Sequence, residues 1–312
     1  MIVNLAAHGA TIAVSTRGAT LISWDPGVGE SVIDGYVSEA EQSDLDGYRC
    51  AVLVPWPNRL ARGQWQDGDI LRRTAQADTP YTSGPDNRGL HGLIVDREFS
   101  YECTDDSIEF TTTLPASNIF PADLEIQVRF IITAKRELQF SVRARNLSAR
   151  AVPVALGWHP YFTITHLDDV WFDVGAAQPV LVDDGLIPLS GAAAFGEQVN
   201  GRQRVTPADD YALARLEHDS NRWANALLYT GKRLIQMEAR TNTPRQQIFH
   251  VFAASQLQRR ALQNVALEPC TAMANAFNRP DVLSEIELDP REVRTLEVHL
   301  VVREGSAAGV AH

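Results

Sequence analysis

The chain has 312 residues, a net charge of −11 and 45% hydrophobic residues. This length suits one large or two ordinary domains of a globular protein. The acidic balance argues against nucleic acid or an anionic membrane as a partner. Cys50, Cys103 and Cys270 follow no metal spacing and make no disulfide framework, which points to a reducing, cytoplasmic setting. The first residues carry neither the basic segment nor the apolar run of a signal peptide, and no apolar stretch reaches the length of a membrane span.

In chain order, Ala10 to Ser15 and Gly18 to Trp24 read as short strands about Arg17-Gly18, with Ser31 to Asp34 as a further strand candidate. Ser38-Glu-Ala-Glu41 is a capping-box pattern that predicts a short helix ending at Gly47. Ala51 onward reads as a buried strand, after which Pro55-Trp-Pro57 predicts an extended exit to Asn58 and Arg59. Arg59 offers a rigid fork of donors suited to sugar hydroxyls or carboxylates, or to a surface salt bridge. Gln64 to Thr74 reads as a hairpin about Asp67-Gly68. Asp78 to Leu90 reads as a loop that delivers His91, between Leu90 and Gly92, to an apolar run at Leu93 to Val95.

From Glu98 to Asn146 the apolar residues alternate cleanly, which predicts an antiparallel meander with one solvated face. Val152 to Trp158 then reads as one strand. Period-two alternation puts Val154, Leu156 and Trp158 on a bulky face and Ala155, Gly157 and His159 on a small one, with room for a ligand. Pro160, which has no N–H, ends the ladder beside His159. Strands are expected at Asp168 to Val174 and Gln178 to Val182, then a long connection over Gly191 to Ala208. Further strands are expected at Tyr211 to Glu217, Trp223 to Thr230, Leu234 to Ala239 and Gln247 to Ala253, with Gln256 to Gln263 a loop or helical turn. Asn264 to Cys270 repeats the earlier design: Val265 and Leu267 on the bulky face, Ala266 and Glu268 on the other, and Pro269 next to Glu268. The last strand is Arg294 to Val302, followed by a tail, Ser306 to His312, expected to fray. The expected fold class is all-β: a single antiparallel β-sandwich or barrel domain over residues 1–305, with few short helices.

Two strand ends thus each present an acid–base group, one imidazole and one carboxylate, which is what general acid–base catalysis asks for. No Gly-rich phosphate loop, nucleophile elbow or metal-binding pattern accompanies them.

Four motifs in order, Pro55-Trp-Pro-Asn-Arg59, Leu90-His-Gly92, Gly157-Trp-His-Pro-Tyr-Phe162 and Glu268-Pro-Cys-Thr271 with Asn275-Ala-Phe277, resemble those of the aldose 1-epimerase (galactose mutarotase) family. The resemblance runs from about Gly18 to Val302. It implies a large antiparallel β-sandwich (a supersandwich) and a cofactor-independent, metal-free isomerase that interconverts the anomers of a free sugar. His159 matches the family's general acid and Glu268 its general base; the mechanism asks for ionised Glu268 and a charged or donating His159. Arg59 and His91 match sugar-contacting positions, as does an aspartate that is Asp210 or its neighbour Asp209. Asn58 joins this set, and Trp56, Trp158 and Tyr161 are candidates to stack on a sugar ring, though the face of Trp158 favours the core. The expected partner is a small-molecule sugar, with the protein a monomer or homodimer. A silent sugar-binding relative is one alternative. A sugar 6-phosphate epimerase is another, and would need nearby cations such as Arg62 or Arg88.

Overall fold

The computed structural model describes residues 1–74, 89–253 and 255–305. Arg88, most of the expected loop before His91 and the expected tail lie outside the described residues.

The chain opens with a three-stranded antiparallel sheet of β1 (Ile2–Ala7), β2 (Ala10–Ser15) and β3 (Thr20–Asp25). Of these, β1 escaped the sequence reading, although Val3 and Leu5 alternate inward. The helix α1 (Glu39–Asp44) forms where its capping box predicts. Ser38 Oγ accepts the Glu41 N–H at 3.1 Å, and the Glu41 carboxylate accepts that of Val37 at 2.7 Å. Its end comes two residues before Gly47, at Leu45, which takes a left-handed backbone. Ser31 to Asp34 makes only an isolated bridge, Ile33 to Phe162.

Next come β4 (Val52–Leu53), the hairpin β5 (Gln64–Asp67) and β6 (Ile70–Arg73), and the meander β7 (Ser100–Cys103), β8 (Ser107–Leu114), β9 (Leu124–Ala134) and β10 (Glu137–Asn146). The strand before Pro55 is short, and the chain bends at Pro55, Pro57 and Asn58 instead of leaving extended; the Val54–Pro55 peptide is cis. Leu93 to Val95 is buried but forms no strand: Leu93 N–H is taken by Val54 O and Ile94 O by Arg97 N–H. An apolar run of three specifies burial, not extension.

The predicted strand Val152 to Trp158 is divided. β11 (Val152–Pro153) and β12 (Gly157–Trp158) belong to different sheets, and β13 (Tyr161–Thr163) resumes beyond Pro160. Then follow β14 (Val170–Asp173), β15 (Gln178–Pro179), β16 (Gln203–Arg204), β17 (Asp210–Ala214), β18 (Ala224–Thr230), β19 (Arg233–Thr241), β20 (Ile248–Phe252) and β21 (Asn264–Cys270). A second helix, α2 (Pro280–Ile286), precedes β22 (Glu287–Leu288) and β23 (Val293–Glu304). It was not foreseen, although Pro280 stands at its first turn and Val282 and Ile286, four apart, are both buried.

Two sheets dominate. One has nine strands in the order β16-β14-β18-β19-β23-β10-β9-β8-β7; the other runs β15-β17-β20-β21-β12-β4, with β13 also paired to β21. They pack face to face as an antiparallel sandwich. From the nine-stranded sheet, Phe130, Phe140, Val142, Val298 and Leu300 enter the shared core; from the other come Leu213, Phe249, Val251, Val265, Leu267 and Trp158. Trp158 stacks on Phe140, with ring centroids 4.3 Å apart and planes 15° apart. Strand alternation then sends the remaining side chains of β17, β20, β21 and β12 to the outer face of the second sheet. Two small apolar clusters lie on that face, one of Ala212, Ile248, Cys270 and Met273, the other of Tyr161, Leu257 and Ala266. Among the described residues, no helix is long and apolar enough to cross a membrane.

Candidate active site

Register places the two acid–base groups. β12 pairs with β21 at Gly157 and Cys270, and β13 pairs with β21 at Tyr161 and Ala266. The register is therefore continuous across Pro160, and His159 lies directly opposite Glu268. The ladder is interrupted at Pro160 but not ended. His159 Nε2 is 3.3 Å from Glu268 Oε1, and both side chains are almost fully buried. On the other side of β21, His250 of β20 is also directly opposite Glu268. Its Nε2 is 2.8 Å from Asp210 Oδ1, on β17. Four neighbouring chain segments thus contribute one row of groups, Asp210, His250, Glu268 and His159, on the outer face between the two apolar clusters.

The two adjacent aspartates point to different partners. Asp210 faces the row. Asp209 is turned away and accepts the N–H and hydroxyl of Thr206 at 3.0 and 2.7 Å, closing a turn.

Arg59 and His91 arrive from loops. Asn58 and His91 both take left-handed backbones, at φ 55° and 60°, uncommon for non-glycine residues and a mark of over-determined loops. They hold each other: His91 N–H donates to Asn58 O at 2.7 Å, and Asn58 N–H donates to His91 Nδ1 at 3.2 Å. Because Nδ1 is an acceptor, neutral His91 carries its proton on Nε2. Among the described residues, the Asn58 side-chain oxygen is buried without a hydrogen-bond partner. Asn275 fixes the arginine loop, taking Arg59 O at 2.7 Å with its N–H and the Ala61 N–H at 2.9 Å with its side-chain oxygen. Thr271 clamps the histidine segment in the same way: its N–H donates to Leu156 O and its hydroxyl oxygen accepts Leu156 N–H, each at 2.8 Å.

The electrostatics follow from burial and from this row. Burial, opposed by His250, pushes Glu268 up to about 7. Burial and the neighbouring His250 push His159 down to about 3. Of the two expected forms, charged or donating, burial favours the neutral imidazole: without sugar, His159 is neutral and any proton on the pair sits on Glu268. Burial, His159 and Arg59 hold His91 well below the usual histidine range. His250 moves the other way: burial opposes its charge, but Glu268 and Asp210 outweigh burial and raise it. Asp210 is lowered, burial being overcome by its bond to His250 and by the charges of His250 and Arg59.

Two of the expected sugar-stacking aromatics have no face to offer. Trp56 is buried edge-on against Phe277 at 5.7 Å, its N–H given to Gly89 O at 2.8 Å. Tyr161 is fully buried; its hydroxyl donates to Gly47 O at 2.8 Å and its ring stacks on His159 at 5.0 Å and 12°. It supports the imidazole from behind. Trp158 is core, as its face predicts. The small-residue floor is also filled: a side chain at Gly157 would meet Cys270 Sγ at 2.8 Å and Pro57 Cβ at 3.0 Å. The small residues there make room for protein, not ligand.

Sequence reasoning missed His250, the lone polar residue in the run Ile248-Phe-His-Val-Phe252. It also missed Arg49, fully buried behind Tyr161, 5.6 Å from that ring and 2.7 Å from Asp34. Arg62, the cation expected for a phosphate, lines a different cleft with Gln64, Gln66, Asp183 and Asn278.

A β-sandwich presenting an imidazole and a carboxylate side by side, ringed by hydrogen-bonding loops, has the make-up of an acid–base site for a polar small molecule. The model of the aldose 1-epimerase family matches residues 1–300, and the chain belongs to that family. It is 26% identical to the uncharacterised protein YihR of Escherichia coli K12 over 287 residues, 89% of each chain. It is also 26% identical to maltose epimerase of Levilactobacillus brevis over 193 residues, covering 58% of this chain and 55% of that one. Among solved structures, an aldose epimerase homologue from C. elegans superposes with a TM-score of 0.77 at 17% identity, over 97% of this chain and 99% of that one. Galactose 1-epimerase from Lactobacillus acidophilus does so with a TM-score of 0.73 at 18% identity, over 96% and 93%. These structural likenesses establish the fold.

Proposed function

We propose that the protein is an aldose 1-epimerase that interconverts the α and β anomers of a free aldohexose or related reducing sugar, with Glu268 as base and His159 as acid. The observation that carries this is the 3.3 Å approach of His159 Nε2 to Glu268 Oε1. The anomeric oxygen and the ring oxygen of a cyclic aldose are both bonded to C1, so the base and the acid that serve them belong side by side rather than on opposite faces.

Glu268 takes the proton of the anomeric hydroxyl while His159 gives one to the ring oxygen. The bond from C1 to the ring oxygen breaks, C1 becomes an aldehyde carbon, and the C1–C2 bond rotates. Closure on the other face reverses both transfers. The pair holds one proton throughout: on His159 before opening, on Glu268 after it. The latter is the distribution that burial favours in the sugar-free site, so the ring-opened complex is the one in which both members of the pair are neutral, and burial stabilises the direction in which the reaction is uphill. His91 Nε2–H, Arg59, Asp210 and the unpaired Asn58 oxygen supply donors and acceptors for the sugar hydroxyls. The maltose epimerase among the relatives supports an unphosphorylated reducing sugar, a disaccharide included.

The test is NMR exchange spectroscopy of α and β anomers across a panel of aldoses with purified protein. Exchange accelerated well beyond buffer is expected for at least one sugar; no acceleration for any of them refutes the reading.

A further inference from the structure

His250 is the part of the row that neither the acid nor the base role accounts for. It is 7% exposed, directly opposite Glu268, and 2.8 Å from Asp210. An imidazole between two carboxylates is placed to be a cation. The charged and titratable groups facing it are Asp210 on β17, Glu268 on β21, Arg59 and His91 from loops, and, beyond Glu268, His159. The two carboxylates are direct neighbours of the ring. Arg59 opposes its charge, and His159 lies one strand further off.

We propose that His250 is a positioning residue, an imidazolium clamped by Asp210 that biases the proton shared by Glu268 and His159 toward His159. This rests on the reading of Glu268 and His159 as base and acid. Neighbouring strands lie about 4.8 Å apart, so the His250 charge acts on Glu268 from one strand spacing and on His159 from two. At an effective dielectric constant of about 20 that difference favours ionised Glu268 over neutral His159 by about one pK unit. The cation thus populates the proton arrangement that ring opening starts from. The raised affinity of His250 for its proton is consistent with this.

The test uses His250→Gln, which keeps a donor for Asp210 and removes the charge. In sugar-free wild-type protein with 15N-labelled histidine, the His250 ring is expected to be an imidazolium at pH 7.5; a neutral ring there overturns the proposal whether or not the protein epimerises sugars. In exchange assays, the alkaline limb of kcat/KM reports the last proton to leave the Glu268–His159 pair. In His250→Gln this limb is expected to move up by about two to three pH units, and the plateau to fall about tenfold because the proton stays on Glu268. A rate loss with an unmoved limb would mean a merely structural role and overturns the proposal. Absence of exchange in wild type would instead refute the epimerase reading, with the ring spectrum still deciding the charge of His250. If His250→Gln fails to fold, a 13C-carboxyl titration of Glu268 in the wild type takes its place. A single step near 7 is expected, and a Glu268 that titrates above 9 is not facing a cation.

Discussion

Replacing Glu268 by Gln should stabilise the fold while abolishing the chemistry, and the size of the gain follows from the site. Glu268 is 2% exposed, and burial raises its pKa from 4.5 to about 7. Between those values the native protein holds a proton that the unfolded chain has released, so stability falls as pH rises. At about 1.4 kcal/mol per unit, the ionised carboxylate costs the fold about 3 kcal/mol at pH 8. Glutamine never ionises, so Glu268→Gln should recover this. With an unfolding entropy of about 2.1 cal/mol/K per residue, that is a rise in Tm of about 5 °C. At pH 4 the folded protein already carries a neutral Glu268, and the gain should shrink to near zero. Differential scanning calorimetry of both proteins at pH 4 and pH 8 measures it, beside anomer exchange at neutral pH. A Tm difference equal at the two pH values would refute the reasoning, since it would place no ionisation cost on Glu268. A variant that gained stability and kept its exchange rate would refute the assignment of the base.

Other outcomes follow from the same geometry. His159→Asn should lower anomer exchange by about 10²- to 10⁴-fold. It should also lessen acid destabilisation: His159 is held neutral down to about 3, so the unfolded chain outbinds the native one for protons below about 6.5 and stability falls with pH. Melting at pH 4.5 and 7 checks this, and an unchanged pH dependence counts against it. Wild-type kcat/KM should decline above about pH 7 as the last proton leaves the pair; a rate still rising through pH 8.5 would contradict the shared-proton scheme. Trp158→Ala should cost about 3–5 kcal/mol through the cavity beside Phe140, read from urea unfolding. Arg49→Ala should cost about 1–3 kcal/mol by removing one of the guanidinium groups on buried Asp34, which keeps Arg259 and Arg260, and should weaken exchange by loosening Tyr161 behind His159.

Most strands were legible because bulky apolar side chains alternate along them with small or polar ones. β2, β8 and β21 lie where alternation alone puts them, and parity assigned Trp158 to the core before any fold was known. The losses have a common cause. Tyr161 shares parity with His159 and does lie on the outer face, but the chain around Gly47 covers it, a contact that no local pattern encodes. Trp56 sits on a loop, where parity says nothing. The division of Val152 to Trp158 depends on which distant strands compete for it, β22 or β21. His250 could have been found by carrying parity one step further, since its strand alternates Phe249 and Val251 inward and so must turn the imidazole outward.

The placement of the row on the outer face is itself a physical requirement. On the inner face four ionisable groups would displace the apolar contacts that hold the two sheets together, and no sugar or water could reach them. On the outer face, neighbouring strands set carboxylate, imidazole, carboxylate and imidazole side by side at strand spacing, so each group compensates the next. The arrangement depends on register more than on any single residue. A slip of one residue in β21 would turn Glu268 into the core and Leu267 out of it. The apolar residues that alternate with the site, Val265 and Leu267 on β21 and Phe249 and Val251 on β20, therefore fix the chemistry as firmly as the groups that perform it. Core packing specifies the register, the register sets Glu268 between His159 and His250, and that neighbourhood sets where the proton rests.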